Sequence, residues 1–126
     1  MLNTSFRTQL AEQIKNQIKP IAPTDLGNAE KAEPITCEEI REILNIGGNL
    51  IDVRSPKEFA SSKVHYATNI PLVHLVRTTI GWDKTIPVLV YCNDGAAAEL
   101  AKEKLLSIGF INVTNIGGVK HYNHCS

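Results

Sequence analysis

Apolar residues near the start of the chain recur every fourth position: Phe6, Leu10, Ile14 and Ile18, with Arg7, Gln9, Glu12, Lys15 and Asn16 between them. That spacing stacks them on one side of a helix, so residues 5–18 are expected to form a narrow amphipathic helix. Pro20 and Pro23 end it, and the following run of Pro, Gly, Ala and charge reads as a linker. Residues 1–33 are therefore expected to be a helical extension and linker, and 34–126 the folded domain.

Within the domain, short β-branched runs alternate with helical patterns, which is the order of an α/β fold with a largely parallel sheet. Thr36 and Glu39 form a capping-box signature before a helix that reaches Leu44 and stops at Gly47-Gly48. Residues 49–53 read as a strand. Ser55, Pro56 and Glu58 repeat the helix-start signal, predicting a short helix to about Ser61. A brief extended segment at 69–72 and a short helix at 73–79 come next. Residues 86–91 (IPVLVY) are the strongest strand pattern, continuous enough for a central strand buried on both faces. An Ala-rich helix follows and ends at Gly109, after which 110–116 read as a last strand and Gly117-Gly118 as the start of a loop.

Composition narrows the function. The chain has 126 residues, 43% hydrophobic and 21% charged, the profile of a folded domain. Thirteen basic residues balance thirteen acidic ones, so no net charge draws it to nucleic acid or to an anionic membrane. No run approaches the roughly 20 apolar residues of a membrane span. The first twenty residues lack the continuous apolar core of a secretory signal, so the expected location is cytoplasmic. Cys37, Cys92 and Cys125 are too few and too scattered for a secreted disulfide framework.

Cys92 carries the chemistry. It falls between the strongest strand and the Ala-rich helix, where a short loop turns unpaired backbone N–H groups toward one point beyond the carboxyl end of the sheet. Such donors and the helix dipole favour a thiolate, or the terminal charge of a persulfide. Gly95 lets the loop curl. Taken alone, a cysteine after a strand is more often a packing residue.

The surrounding motifs separate these readings. Leu50-Ile51-Asp52-Val53-Arg54, Glu58-Phe59, Ala67-Thr68-Asn69-Ile70-Pro71, Val90-Tyr91-Cys92-Asn93-Asp94-Gly95, and Gly109 followed by Val113, Asn115 and Gly117-Gly118 occur in the order of the single-domain rhodanese family, which this sequence resembles from about Ile35 to Tyr122. The resemblance implies a parallel sheet of about five strands flanked by helices. It also implies a sulfurtransferase that moves a sulfane sulfur from thiosulfate, or from a persulfide or polysulfide, to a thiol or cyanide acceptor. Carried over by position, Cys92 is the nucleophile and persulfide carrier, and Asn93, Asp94, Gly95, Ala96 and Ala97 form the binding loop. Asp52 and Arg54 are read as a structural pair.

The chain also departs from the family pattern. Family members often carry an arginine near the end of the loop, where this sequence has Ala96, Ala97 and Ala98. Lys63, Arg77 and Lys120 are the cations available to replace it. The substitution points to a less charged donor, or to a protein-bound persulfide. It also argues against a phosphatase of the Cys-x5-Arg type, because position 98 lacks the clamp for a phosphoryl transition state. A catalytically weak rhodanese-like binding or regulatory module is the principal alternative. A Cys-His protease would draw its base from His65, His74, His121 or His124, none in a recognisable protease context. No metal or organic cofactor is expected. His121, His124 and Cys125 lack the paired spacing of a structural zinc site. Cys37 is expected to be inert, and Cys125 either to resolve a Cys92 persulfide or to form an adventitious disulfide. The expected partners are a small sulfur donor and a thiol acceptor, with the amphipathic helix docking on the domain or forming a homodimer contact.

Overall fold

The computed structural model describes residues 33–125, and the amphipathic helix at 5–18, with the docking or dimer contact assigned to it, lies outside them. The first described helix, α1 (Cys37–Asn45), begins as its sequence dictates. Thr36 Oγ1 accepts from the Glu39 amide at 3.0 Å and the Glu39 carboxylate accepts from the Thr36 amide at 2.8 Å. Strand β1 (Asn49–Asp52) follows, then α2 (Pro56–Ser61) with the same reciprocal cap between Ser55 and Glu58. The remaining elements are β2 (Thr68–Asn69), a 3-10 turn (Leu72–His74), α3 (Leu75–Thr79), β3 (Val88–Cys92), α4 (Ala96–Ser107), β4 (Val113–Gly118) and a final 3-10 turn (Val119–His121).

The strands pair in the order β2-β1-β3-β4, all parallel. Chain order therefore reverses between β1 and β3, and the carboxyl ends of those two strands flank the crevice where open α/β sheets bind ligands. The sheet has four strands among the described residues, against the five implied by resemblance. At the outer edge of β4 the Glu33 amide donates to Asn115 O at 2.7 Å, but the next residue, Pro34, has no N–H to extend a ladder.

Two strand boundaries also differ from expectation for local reasons. Strand β3 begins only after Pro87 and runs on to Cys92, which pairs with Gly118. Gly117 and Gly118, expected in a loop, close β4 instead. A register shift sets Val90 opposite Asn115 but Tyr91 opposite Gly117, leaving Ile116 as the extra residue of a bulge.

Side-chain alternation along β3 divides the core. Val88, Val90 and Cys92 face Ala98, Ala101 and Leu105 of α4, together with Leu75 and Phe110. Leu89 and Tyr91 face the other way, onto Ile40 of α1, Val64, Ile116 and Tyr122. Both faces of β3 are thus covered, as its unbroken apolar run requires.

Two buried phenols tie loops to this second face. Tyr91 OH accepts from the Val64 amide at 3.0 Å, while Tyr122 OH donates to Ile116 O at 2.6 Å and accepts from the Ile35 amide at 3.2 Å. Burial is the main cause that raises both above the ordinary tyrosine value of 10.0. A raised value means that folding favours the neutral phenol. Its contribution is complete below about pH 10 and is lost as the pH climbs through the folded-state value. Denaturant midpoints are expected to fall above about pH 10, with tyrosinate absorbance from these two residues appearing together with unfolding. Titration of both phenols in chain that stays folded would contradict this account.

The cysteines depart from expectation. Cys37, expected to be inert, is joined to Cys125 by a disulfide across 88 positions of sequence, and Cys92 alone is free. The Tyr122 bonds to Ile35 and Ile116 bring the C-terminal turn beside the start of α1, which no local pattern reveals.

Candidate active site at the end of the central strand

Cys92 is the last residue of β3 and is 2% exposed. Its Sγ accepts from the Gly95 amide at 3.0 Å and from the Ala98 amide at 3.3 Å. This convergence depends on Gly95, which takes φ +96° as the N-cap of α4, a conformation that penalises any Cβ. Among the loop residues singled out in the sequence, Gly95 faces the sulfur directly. Ala96 instead donates to Asp94 Oδ1 at 3.0 Å, and that carboxylate lies 3.8 Å from Cys92 Sγ, within reach of the thiol proton. Ala98 lies just past the expected loop and supplies the second donor. Its amide is a first-turn helix N–H, free because it has no partner one turn earlier.

The loop is braced from β1. Asp52, with no exposed surface, takes both Nε and Nη2 of Arg54, the latter at 2.7 Å, and accepts the Arg54 amide at 2.8 Å. The bond to Asp52 is the main cause that raises the Arg54 guanidinium above its ordinary value, so its charge is permanent. Arg54 Nη1 then reaches Asn93 Oδ1 at 3.2 Å, and Nη2 donates to Ser62 O. Asn93 Nδ2 in turn donates to Glu58 Oε2 at 2.6 Å, and this bond is the main cause that holds the Glu58 carboxyl below its usual value. The chain Asp52–Arg54–Asn93–Glu58 thus fixes the first loop residue after Cys92. Of the pair expected to be structural, Arg54 touches the loop directly and Asp52 acts through Arg54.

Asn115 braces the other side. Buried in β4, it donates from Nδ2 to Gly95 O and to Glu99 Oε1, both at 3.0 Å, and accepts the Gly117 amide on Oδ1 at 2.9 Å. One side chain thus satisfies the bulge and the helix start together. The sequence offered Asn115 only as part of a motif. An asparagine, disfavoured in strands, between the β-branched Thr114 and Ile116 was the signal of a buried hydrogen-bonding task.

Gly118 allows the closest approach. A Cβ there would stand 2.4 Å from Asn93 O and 3.1 Å from its carbonyl carbon, both backbone atoms of the active loop. Gly118→Ala is therefore expected to displace the loop and to lower sulfur loading of Cys92 by at least tenfold, measured as an initial rate on folded protein. Unchanged loading would show that the loop position is not needed. Of the cations proposed to replace the missing arginine, Lys63 lies over the Phe59 ring and Arg77 contacts His74 Nδ1.

This arrangement can hold a sulfur anion by directed dipoles. A rhodanese-like domain model matches residues 36–125, most of the described chain. The chain belongs to the rhodanese-like family. It is 41% identical over 73 residues to the thiosulfate sulfurtransferase PspE of Escherichia coli (strain K12), covering 56% of this chain and 69% of that protein. A solved rhodanese with anions from E. coli is similar at 39% identity and a TM-score of 0.55, over 60% of this chain and 91% of that one. The human single-domain sulfurtransferase TSTD1 shares the fold at 24% identity and a TM-score of 0.54, over 70% and 91% of the two chains. Among the described residues no helix is long and apolar enough to cross a membrane.

Proposed function

We propose that this rhodanese-like domain, residues 34–126, is a sulfurtransferase that works by double displacement through a persulfide on Cys92. The observation that carries the reading is the pair of backbone N–H groups, from Gly95 and Ala98, directed at Cys92 Sγ at the sheet's switch point. In the first step the Cys92 thiolate attacks the outer sulfur of the donor. The Sγ–S bond forms as the donor's S–S bond breaks, and the electron pair leaves on sulfite from thiosulfate or on a thiolate from a persulfide. In the second step a thiolate or cyanide attacks the terminal sulfur, and Cys92 departs as thiolate. No external oxidant or reductant is needed, and the loop amides hold the negative sulfur in each state.

Asp94 supports a donor of low charge. Its carboxylate stands beside Sγ, and the loop positions that would oppose it with an arginine are alanines. A dianion about 6 Å from a carboxylate in water is disfavoured by about tenfold. A singly charged organic persulfide, small or protein-borne, is therefore the preferred donor over thiosulfate, and a small or protein-borne thiol the acceptor. The proposed location is the cytoplasm.

Intact mass measurement after brief exposure to thiosulfate or to a small, singly charged organic persulfide tests both points. Wild type is expected to gain about 32 Da, one sulfur, faster from the organic persulfide, and Cys92→Ser is expected to gain nothing. Asp94→Asn should speed loading from thiosulfate by about tenfold and narrow the gap between donors. If neither donor loads the folded, reduced protein, the binding or regulatory module replaces the enzyme as the better reading.

A further inference from the structure

We propose that Cys37, His124 and Cys125 form a zinc site when the disulfide between the two cysteines is reduced. The site stands apart from the sulfur chemistry. Cys125 packs with Ile40, Tyr91 and Tyr122 on one side of the sheet, whereas Cys92 packs toward α4 on the other. Sequence spacing hid it, because Cys37 is 88 residues from Cys125 and the nearby His121 is not part of the cluster.

The geometry matches the ligand chemistry. The two sulfurs and a ring nitrogen of His124 all lie within 4.8 Å of one another. Cys37 Sγ stands 3.5 Å from His124 Nε2. A tetrahedral zinc with ordinary Zn–S and Zn–N bonds has an S···N edge of about 3.5 Å, so that pair needs no rearrangement. The two sulfurs must part to about 3.8 Å, the S···S edge of the same tetrahedron. Their Cα atoms are 5.5 Å apart, close enough for side-chain rotation to open that edge while the backbone stays in place.

That backbone is held at both ends, by the Thr36–Glu39 capping box and by the Cys125 amide donating to Tyr122 O at 2.9 Å. His124 is exposed, leaving a way in for the ion and room for a water as fourth ligand. Two thiolates and a neutral imidazole are a donor set suited to zinc, and their charge balances it.

The chemistry balances with a dithiol reductant. It supplies two electrons and two protons, the Cys37–Cys125 bond is cleaved to two thiols, and the reductant becomes a cyclic disulfide. Zinc then displaces the two thiol protons into solvent. The ion would hold the start of α1 against the C-terminal turn under reducing conditions, as the disulfide does under oxidising ones.

The test uses the full chain carrying Cys92→Ala, so that the only other thiol cannot bind metal. Protein reduced by a dithiol and desalted without oxygen is titrated with zinc against a chromophoric chelator, with stoichiometry from native mass measurement. One zinc per reduced chain and none per oxidised chain are expected, with bound zinc protecting Cys37 and Cys125 from alkylation. His124→Ala, an exposed substitution that leaves the core intact, should weaken binding at least roughly tenfold, since even groups outside the coordination sphere contribute that much. Absence of zinc on the reduced chain, equal binding by the oxidised chain, or an unchanged affinity in His124→Ala would each overturn the proposal. The result is independent of sulfur transfer, because Cys92 is absent throughout.

Discussion

Cys92→Ser is expected to lose sulfur transfer by at least roughly a thousandfold, the order seen when a covalent nucleophile is removed, while Cys37→Ser and Cys125→Ser keep most of it. The substitution leaves the loop in place, since a hydroxyl accepts from the Gly95 and Ala98 amides as the sulfur does. What it removes is the soft, polarisable atom able to carry a second sulfur. The other two cysteines are engaged with one another on the far side of β3, so neither is positioned to replace it. Initial rates of transfer to cyanide or to a thiol would decide the matter. Comparable losses in all three variants would mean that the cysteines act through the fold and would withdraw Cys92 as the nucleophile.

Arg54→Ala is expected to be the most destabilising single change at the site. It leaves Asp52, without exposed surface, as a buried carboxylate whose partner is gone, a situation that costs about 3–5 kcal/mol. The same change frees Asn93 Oδ1 and Ser62 O, so sulfur loading should fall together with stability. The double variant Asp52→Asn with Arg54→Met is the informative comparison. With the charge removed from both sides, it should recover part of the stability that Arg54→Ala loses, yet still leave the active loop without its brace. Denaturant unfolding paired with loading rates separates these contributions. A double variant as unstable as the sum of its parts would show that the two residues act independently.

The reach of sequence reasoning followed the range of the interaction involved. Capping boxes span three residues, so Thr36 with Glu39 and Ser55 with Glu58 announce α1 and α2 without help from the rest of the fold. A continuous apolar run has one economical use in a parallel sheet, and β3 is accordingly central and covered on both faces. The turn from that strand into α4 is equally local, which is why a cysteine in it could be singled out as the candidate nucleophile.

Tertiary structure decided everything that depends on segments meeting. Asn115 is a lone asparagine between β-branched residues until β4 is laid beside β3, and only then do Gly95, Gly117 and Glu99 become its partners. Ala98 looked like a lost arginine until the curvature of the loop turned its amide toward Cys92. The Cys37–Cys125 disulfide and the approach of His124 to it depend on how the chain's two distant segments are brought together by Tyr122. Local patterns encode backbone conformation, whose energetics are set within a few residues. The donors around Cys92 Sγ and the side chains of Cys37, His124 and Cys125 converge in space from positions that sequence spacing does not relate.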